Sequence, residues 1–156
     1  MSKSLKRVRA ALEGTGAEII ETPLARTAQD AATAIGCAVD QIAKSIVFAG
    51  AESGAALLFI TAGGRQVDAA QASALAGEAL GKADAAVIRA QTGFAIGGVS
   101  PVGHLSPPRA WFDRTLLEFD RVWAAAGTPH HVFGAAPQTL LTLSGAQLAD
   151  FTTTSR

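Results

Sequence analysis

Residues 43–62 read AKSIVFAGAESGAALLFITA, and this stretch decides the fold. Two apolar runs, 43–49 and 55–62, flank a glycine-bounded segment at residues 50–54. That spacing predicts two antiparallel strands joined by a longer hairpin loop. Alternation along the first strand places Lys44, Ile46 and Phe48 on one face and turns Ser45 away from Lys44. The chain is therefore built around a central hairpin that carries one cation on an apolar face.

Helices are predicted on both sides of this hairpin. Leu5, Val8 and Leu12 recur at helical spacing, and Thr27 with Asp30 forms the start signal of a second helix that ends at Gly36. Two alanine-rich stretches predict further helices, and a proline followed by leucines predicts a last one. These predictions are residues 67–80 ending at Gly81, residues 83–92 ending at Gly93, and a helix from Pro137 to Gly145.

Short strands are predicted between the helices at residues 17–22, 94–96, 110–112 and 121–123. The elements mix without regular alternation of strand and helix, and there is no fixed-period repeat and no linker. We therefore expect an α+β fold with a mixed, mostly antiparallel sheet. The 156 residues are interpreted as one domain, residues 1–156.

Composition excludes several classes of protein. The 13 Lys and Arg residues balance 13 Asp and Glu, which argues against a uniformly basic protein that coats nucleic acid. The content of 49% hydrophobic and 17% charged residues argues against intrinsic disorder. The basic N-terminus lacks the apolar stretch of an export signal. No apolar run reaches the roughly 18 residues of a membrane helix. Cys37 has no second cysteine with which to form a disulfide. We expect a cytoplasmic protein with no membrane partner.

Lys44 is the first candidate for chemistry. A cation on an apolar strand face costs desolvation free energy, so either the side chain reaches water at the strand end or it serves a pocket. In a pocket, a lysine binds phosphate as a point charge, or acts in catalysis when burial lowers its pKa. The sequence leaves both interpretations open.

The second candidate is residues 97–103, GGVSPVG, which we call the glycine loop. Glycines allow a backbone to approach a ligand closely, so its N–H groups could bind an anion or a developing oxyanion. The alternative is an ordinary turn. The spacing matches neither a dinucleotide fingerprint nor a Walker loop.

Other reactive side chains form no recognisable motif. His104, His130 and His131 lack the spacing of a metal site, and Ser100 lacks the surroundings of a nucleophile elbow. Cys37 is interpreted as a small buried residue. We therefore predict no metal site. A hydrolase with a Ser/His/Asp triad is disfavoured.

The chain resembles the YbaK/ProX family of aminoacyl-tRNA deacylases, which also occurs as the editing domain of bacterial prolyl-tRNA synthetases. Three segments carry the resemblance: residues 43–48 with Lys44, residues 92–103 with the GxxxP signature from Gly97 to Pro101, and the later pattern Gly127, Val132-Phe133, Pro137 and Leu140. The resemblance implies a curved, mixed, mostly antiparallel sheet flanked by helices. It also implies a free-standing factor that hydrolyses the ester between a wrong amino acid and the terminal adenosine of a tRNA, usually tRNA for proline.

The same resemblance implies that no metal and no organic cofactor are needed, and it assigns roles to residues. Lys44 would hold the phosphate end of the terminal adenosine, and Gly98 would orient the ester and the attacking water through its backbone. The remaining substrate-binding residues we predict are Ser45, Ile46, Gly97, Val99, Ser100, Pro101 and His130. The removed amino acid stays open among Ala, Ser, Thr, Cys and 2-aminobutyrate, because one methylene changes discrimination by only about 1–3 kcal/mol. Ser45 departs from the asparagine of alanine-editing members.

Two other functions stay open. A non-catalytic module that binds a tRNA end or a nucleotide would keep the same loop and Lys44 without turnover. A hydrolase of unrelated small esters is the other, and the lack of a nucleophile elbow argues against it. The expected partner is the acceptor end of aminoacyl-tRNA, association with prolyl-tRNA synthetase stays open, and no DNA is expected.

Overall fold

A computed structural model describes residues 2–154. The α-helices are α1 (Lys3–Leu12), α2 (Ala28–Ile35), α3 (Ala69–Ala76), α4 (Ala85–Thr92) and α5 (Pro137–Ser144). The strands are β1 (Glu18–Glu21), β2 (Ala43–Gly50), β3 (Ala56–Ala62), β4 (Arg65–Val67), β5 (Leu80–Lys82), β6 (Arg109–Asp113), β7 (Val122–Thr128), β8 (His131–Ala135), β9 (Gln147–Ala149) and β10 (Thr152–Thr154). Short 3₁₀ turns lie at Val39–Gln41 and Arg114–Glu118.

The strands form one five-stranded sheet and two smaller ones. The large sheet has the order β5-β2-β3-β6-β9, in which β5, β2 and β3 are antiparallel and β6 and β9 are parallel to their neighbours. A second sheet, β1-β8-β7, is antiparallel, and β4 pairs with β10. A bridge between Ile42 and Trp123 joins the first two sheets. The predicted α+β class with a mixed, mostly antiparallel sheet is confirmed.

The predicted central hairpin is β2 and β3, with Lys44 opposite Thr61. Strand β3 is buried along its whole length because both of its faces pack on apolar clusters. Leu58 and Ile60 face the larger cluster, which also contains Phe94 and Phe133. On the other face the ring of Phe59 stacks on Trp111 at 4.8 Å. A strand buried on both faces reads as a continuous apolar run, which is why this stretch stands out in the sequence.

The predicted helix ends are mostly confirmed. Leu5, Val8 and Leu12 form the buried stripe of α1. The Thr27 side chain accepts from the Asp30 N–H at the start of α2, and Gly36 ends that helix with φ +85°. Gly93 and Gly145 end α4 and α5 in the same left-handed conformation, which glycine adopts without steric cost.

Two stretches were predicted wrongly. The helix predicted over 67–80 is shorter, because Asp68 caps its start and Gly77 ends it; Val67 lies in β4, while Leu80 and Gly81 lie in β5. The strand predicted over 94–96 is a loop that follows α4. Phe94 is fully buried there and anchors the loop rather than pairing in a sheet. The three-residue strands β4, β5, β9 and β10, and also β8, were not predicted.

Candidate active site

A cavity of about 1000 Å³ opens between β2 and the β7–β8 hairpin. The first residues of α2, the turn at Gly63-Gly64 and the glycine loop complete its wall. Its volume lies at the upper end of ordinary ligand pockets, roughly 300–1,000 Å³. The cavity is thus large enough for a small molecule or the end of a polymer.

Lys44 lies in the wall of this cavity. It is the second residue of β2, next to Ala43, which pairs with Ala62 at the end of the hairpin. The Lys44 Nζ donates to the Gly63 carbonyl at 3.3 Å. Partial burial lowers the pKa of Lys44, and the carboxylates of Asp40 and Asp113 oppose that shift. The sequence analysis gave two alternatives for Lys44, a position near a strand end and a position in a pocket. The structure shows both at once.

The carboxylates near Lys44 are held by backbone groups. Asp40 Oδ1 accepts from the Gly64 N–H at 2.7 Å. Asp113 is 4% exposed, and its Oδ2 accepts from the Ala62 N–H at 3.1 Å. Its Oδ1 accepts from Thr115, and Arg65 lies 3.9 Å away. This network supplies negative charge behind Lys44 without placing a carboxylate in the cavity wall, since neither Asp40 nor Asp113 lines it.

Ser45 and Ile46 also line the cavity. Ser45 shares the face of Ala43 and Val47, which pack on the larger apolar cluster, so the predicted alternation away from Lys44 holds along β2. The Ser45 Oγ is buried and has no hydrogen-bond partner among the described residues. Such an unpaired hydroxyl carries a desolvation cost of about 1–3 kcal/mol.

The glycine loop contributes Gly97 and Val99 to the cavity wall. Gly97 is exposed and has φ +87°, a conformation that strains any residue with a Cβ. Gly98 is buried behind it, where an added Cβ would stand 3.3 Å from the Gly127 carbonyl oxygen. The Gly98 N–H donates to the Ala95 carbonyl at 3.0 Å. In this structure the Gly98 amide thus closes a turn with Ala95, and Gly98 itself does not line the cavity.

Ser100 and Pro101 shape the loop from behind and do not line the cavity. The Ser100 Oγ accepts from the Val102 N–H at 3.2 Å, and the Ser100 carbonyl accepts from the His104 Nε2 at 2.6 Å. Burial lowers the pKa of His104, the Ser100 carbonyl opposes this, and the nearby Arg7 guanidinium lowers it further. His104 is therefore neutral at pH 7, with its proton on Nε2.

The histidine in the cavity wall is His131, whereas His130 is exposed and outside the lining. His131 begins β8, and its Nδ1 lies 2.7 Å from the Thr128 Oγ1. Its Nε2 lies 4.0 Å from a Glu21 oxygen. Adjacent residues at a strand start face opposite ways, and the structure places His131 in the pocket instead of the predicted His130.

The lining residues that were not singled out from the sequence include two cations and a tryptophan. Arg26 precedes α2, Lys82 ends β5, and Trp123 lies on β7. Lys82 was hidden because residues 80–82 were assigned to a helix end and loop. The described lining contains Arg26, Lys44, Lys82 and His131, and no Asp or Glu. A cation-lined cavity without carboxylates suits an anionic ligand.

Residues 2–154 contain neither a candidate metal centre nor a candidate membrane-spanning helix. No three His, Cys, Asp or Glu side chains of this part of the chain gather as a set that could hold a metal ion. No helix there is long and apolar enough to cross a membrane.

The fold and a cation-lined cavity beside a glycine loop define a small α+β protein whose cavity suits an anionic ligand. Comparison with known proteins identifies the family: the model of the aminoacyl-tRNA editing domain matches residues 22–143, and this chain belongs to that family. Protein YwhH of Bacillus subtilis (strain 168) is 31% identical over 114 residues, which is 73% of this chain and 72% of YwhH. These matches support a function in aminoacyl-tRNA editing.

Two solved structures share the whole fold. A candidate trans-editing enzyme for prolyl-tRNA synthetase is 46% identical with a TM-score of 0.90, and the match covers 98% of this chain and 99% of that chain. A scaffold protein used for grafting linear epitopes is 45% identical with a TM-score of 0.88, with the same coverage of 98% and 99%. The cavity described above therefore belongs to an editing-domain fold.

Proposed function

We propose that this protein is a trans-editing deacylase that hydrolyses the ester of misacylated tRNA. The proposed substrate is tRNA for proline that carries a small non-cognate amino acid: Ala, Ser, Thr, Cys or 2-aminobutyrate. The observation that carries this proposal is the partly buried Lys44 in a 1000 Å³ cavity beside the glycine loop. A cytoplasmic location and an association with prolyl-tRNA synthetase belong to the same proposal.

The charges of the cavity support an RNA end as ligand. Terminal adenosine brings a phosphate, and Lys44 is a compact cation that contacts phosphate well. Arg26 and Lys82 add positive charge to the wall, which no carboxylate of the described lining offsets. The amino acid and the base would occupy apolar wall, including Ile46, Val99 and Trp123.

The reaction is ester hydrolysis. A water oxygen attacks the ester carbonyl, the bond between that carbon and the ribose oxygen breaks, and a proton passes from the water to the ribose oxygen. An aminoacyl ester is labile, so holding it beside a positioned water lowers the barrier without a strong nucleophile. Hydrogen-bond donors aimed at the developing oxyanion accelerate the reaction further, and one such donor typically raises kcat by about 100- to 1,000-fold.

Roles follow from where the residues lie. We propose that Lys44 holds the terminal phosphate and that Gly97 presents backbone to the ester. Gly98 acts indirectly, because its lack of a side chain lets the loop pack closely against Gly127. Ser100 and Pro101 shape the loop, and His131 takes the place predicted for His130 in the pocket.

The test is deacylation of tRNAs charged with Ala, Ser, Thr, Cys, 2-aminobutyrate and Pro by the wild type and by Lys44→Ala. We expect hydrolysis of at least one small non-cognate ester, little hydrolysis of prolyl-tRNA, and a loss of about 100-fold or more in Lys44→Ala. Lys82→Ala removes the other lining lysine, opposite Phe48 on β2, and should reduce hydrolysis less than Lys44→Ala does. Wild-type binding that protects every ester without turnover would favour the binding module instead.

A further inference from the structure

The Arg7 side chain of helix α1 forms hydrogen bonds at both ends of the segment that contains the glycine loop. Its Nη2 donates to the Gly93 carbonyl at 2.7 Å, and its Nε donates to the Gly103 carbonyl at 3.1 Å. Gly93 caps α4 just before the loop, and Gly103 is the last residue of the loop. One planar guanidinium thus bridges the two ends of the segment that forms part of the cavity wall.

The surroundings of Arg7 fix its geometry. Its guanidinium carbon lies 5.1 Å from the ring centre of Phe94, which is fully buried. A cation on an aromatic face is attracted by the charge distribution of the ring, and hydrogen bonds from a charged donor are stronger than neutral ones. The Ser4 hydroxyl adds a bond to the Gly93 carbonyl at 3.3 Å.

Glycines permit the close approach of α1 to the loop and to the hairpin. An added Cβ at Gly103 would stand 3.2 Å from the Arg7 carbonyl carbon and oxygen. One at Gly127 would stand 3.0 Å from the Ser4 carbonyl group, and Gly127 in turn contacts Gly98. All three left-handed glycines at this junction, Gly93, Gly103 and Gly127, have φ between +79° and +96°. At Gly103 and Gly127 the α1 backbone therefore approaches the loop and the hairpin closely.

We propose that Arg7 is a positioning residue for deacylation: by bridging Gly93 and Gly103 it sets the position of Gly97 and Val99 in the cavity wall. This inference rests on the proposed function. Arg7 is absent from the cavity lining, so it acts through the loop. A lysine cannot replace it, because one ammonium lacks the planar fork that reaches both carbonyls.

The test compares Arg7→Met and Arg7→Lys with Arg9→Met, which removes an exposed arginine from the same helix. At a temperature well below the unfolding transition, Arg7→Met should lower kcat about 10- to 100-fold with KM changed less than threefold, because a small misplacement of reacting groups costs that much. Arg7→Lys should recover only part of kcat. Millimolar guanidinium ion should raise the kcat of Arg7→Met and leave Arg9→Met unchanged.

Amide hydrogen exchange of residues 97–103 in the free protein is the independent measurement. Exchange should quicken in Arg7→Met but not in Arg9→Met. If Arg7→Met keeps wild-type kcat while its melting temperature falls, Arg7 is merely structural and the inference is overturned. If the wild type and Arg9→Met hydrolyse no ester, the proposed function fails, and hydrogen exchange still decides whether Arg7 holds the loop.

Discussion

For Lys44, the position in a strand was predictable from the sequence, but its hydrogen-bond partner was not. Its position after Ala43 in an apolar strand could be read from the sequence, and so could its apolar neighbours. Its partners could not be predicted. The Gly63 carbonyl lies just after the paired strand β3, and the carboxylates of Asp40 and Asp113 belong to two other elements. Side-chain partners depend on tertiary packing, whereas strand alternation is local.

Ser45 offers a test of the cavity wall by stability. Its buried hydroxyl has no hydrogen-bond partner among the described residues, so Ser45→Ala removes a desolvated polar group. We expect the free energy of unfolding to stay equal or rise by about 1 kcal/mol in denaturant titrations.

Ser100→Ala is the control for this prediction. Its hydroxyl accepts from the Val102 N–H, so this variant should lose about 1 kcal/mol. A destabilised Ser45→Ala protein would show that the Ser45 hydroxyl has a partner in solution.

Elements with strong local signals were predictable. Capping residues and left-handed glycines fix the ends of α2, α4 and α5, and these signals act within a few residues. The three-residue strands were not predictable because their pairing partners are far along the chain: β4 pairs with β10, and β5 with β2. Lys82 was missed as a lining residue for that reason.

His104, in the loop that follows α4, contributes to the pH dependence of the free energy of unfolding. Burial lowers the pKa of His104, so the folded protein keeps this histidine neutral while the unfolded chain takes up a proton below about pH 6.5. The unfolded state then binds more protons, and stability falls as the pH drops below that value. Unfolding titrations between pH 7.5 and about 5 should show a smaller loss of stability in His104→Gln than in the wild type.

His130→Gln, at an exposed histidine, is the comparison variant for His104→Gln, and the slope of stability against pH is measured in both. Equal slopes in His104→Gln and the wild type would mean that His104 is protonated as readily in the folded protein as in the unfolded chain.

At the scale of the whole molecule, a net charge of zero conceals a local separation of charge. The 13 basic and 13 acidic residues cancel, yet the described cavity lining carries Arg26, Lys44 and Lys82 without a carboxylate. Composition therefore excluded a protein that coats nucleic acid but could not locate a cationic pocket. The pocket is assembled from the start of α2, the ends of β2 and β5 and the β7–β8 hairpin, which only the fold brings together.

The most direct test of the central claim is a count of turnovers. Misacylated tRNA for proline is supplied in large excess over the protein, and the amino acid released per protein molecule is followed against spontaneous hydrolysis. The account predicts many turnovers for the wild type with at least one small non-cognate amino acid, and none above background for Lys44→Ala. Release that never exceeds background with any of these esters, from a folded wild-type protein, would contradict it.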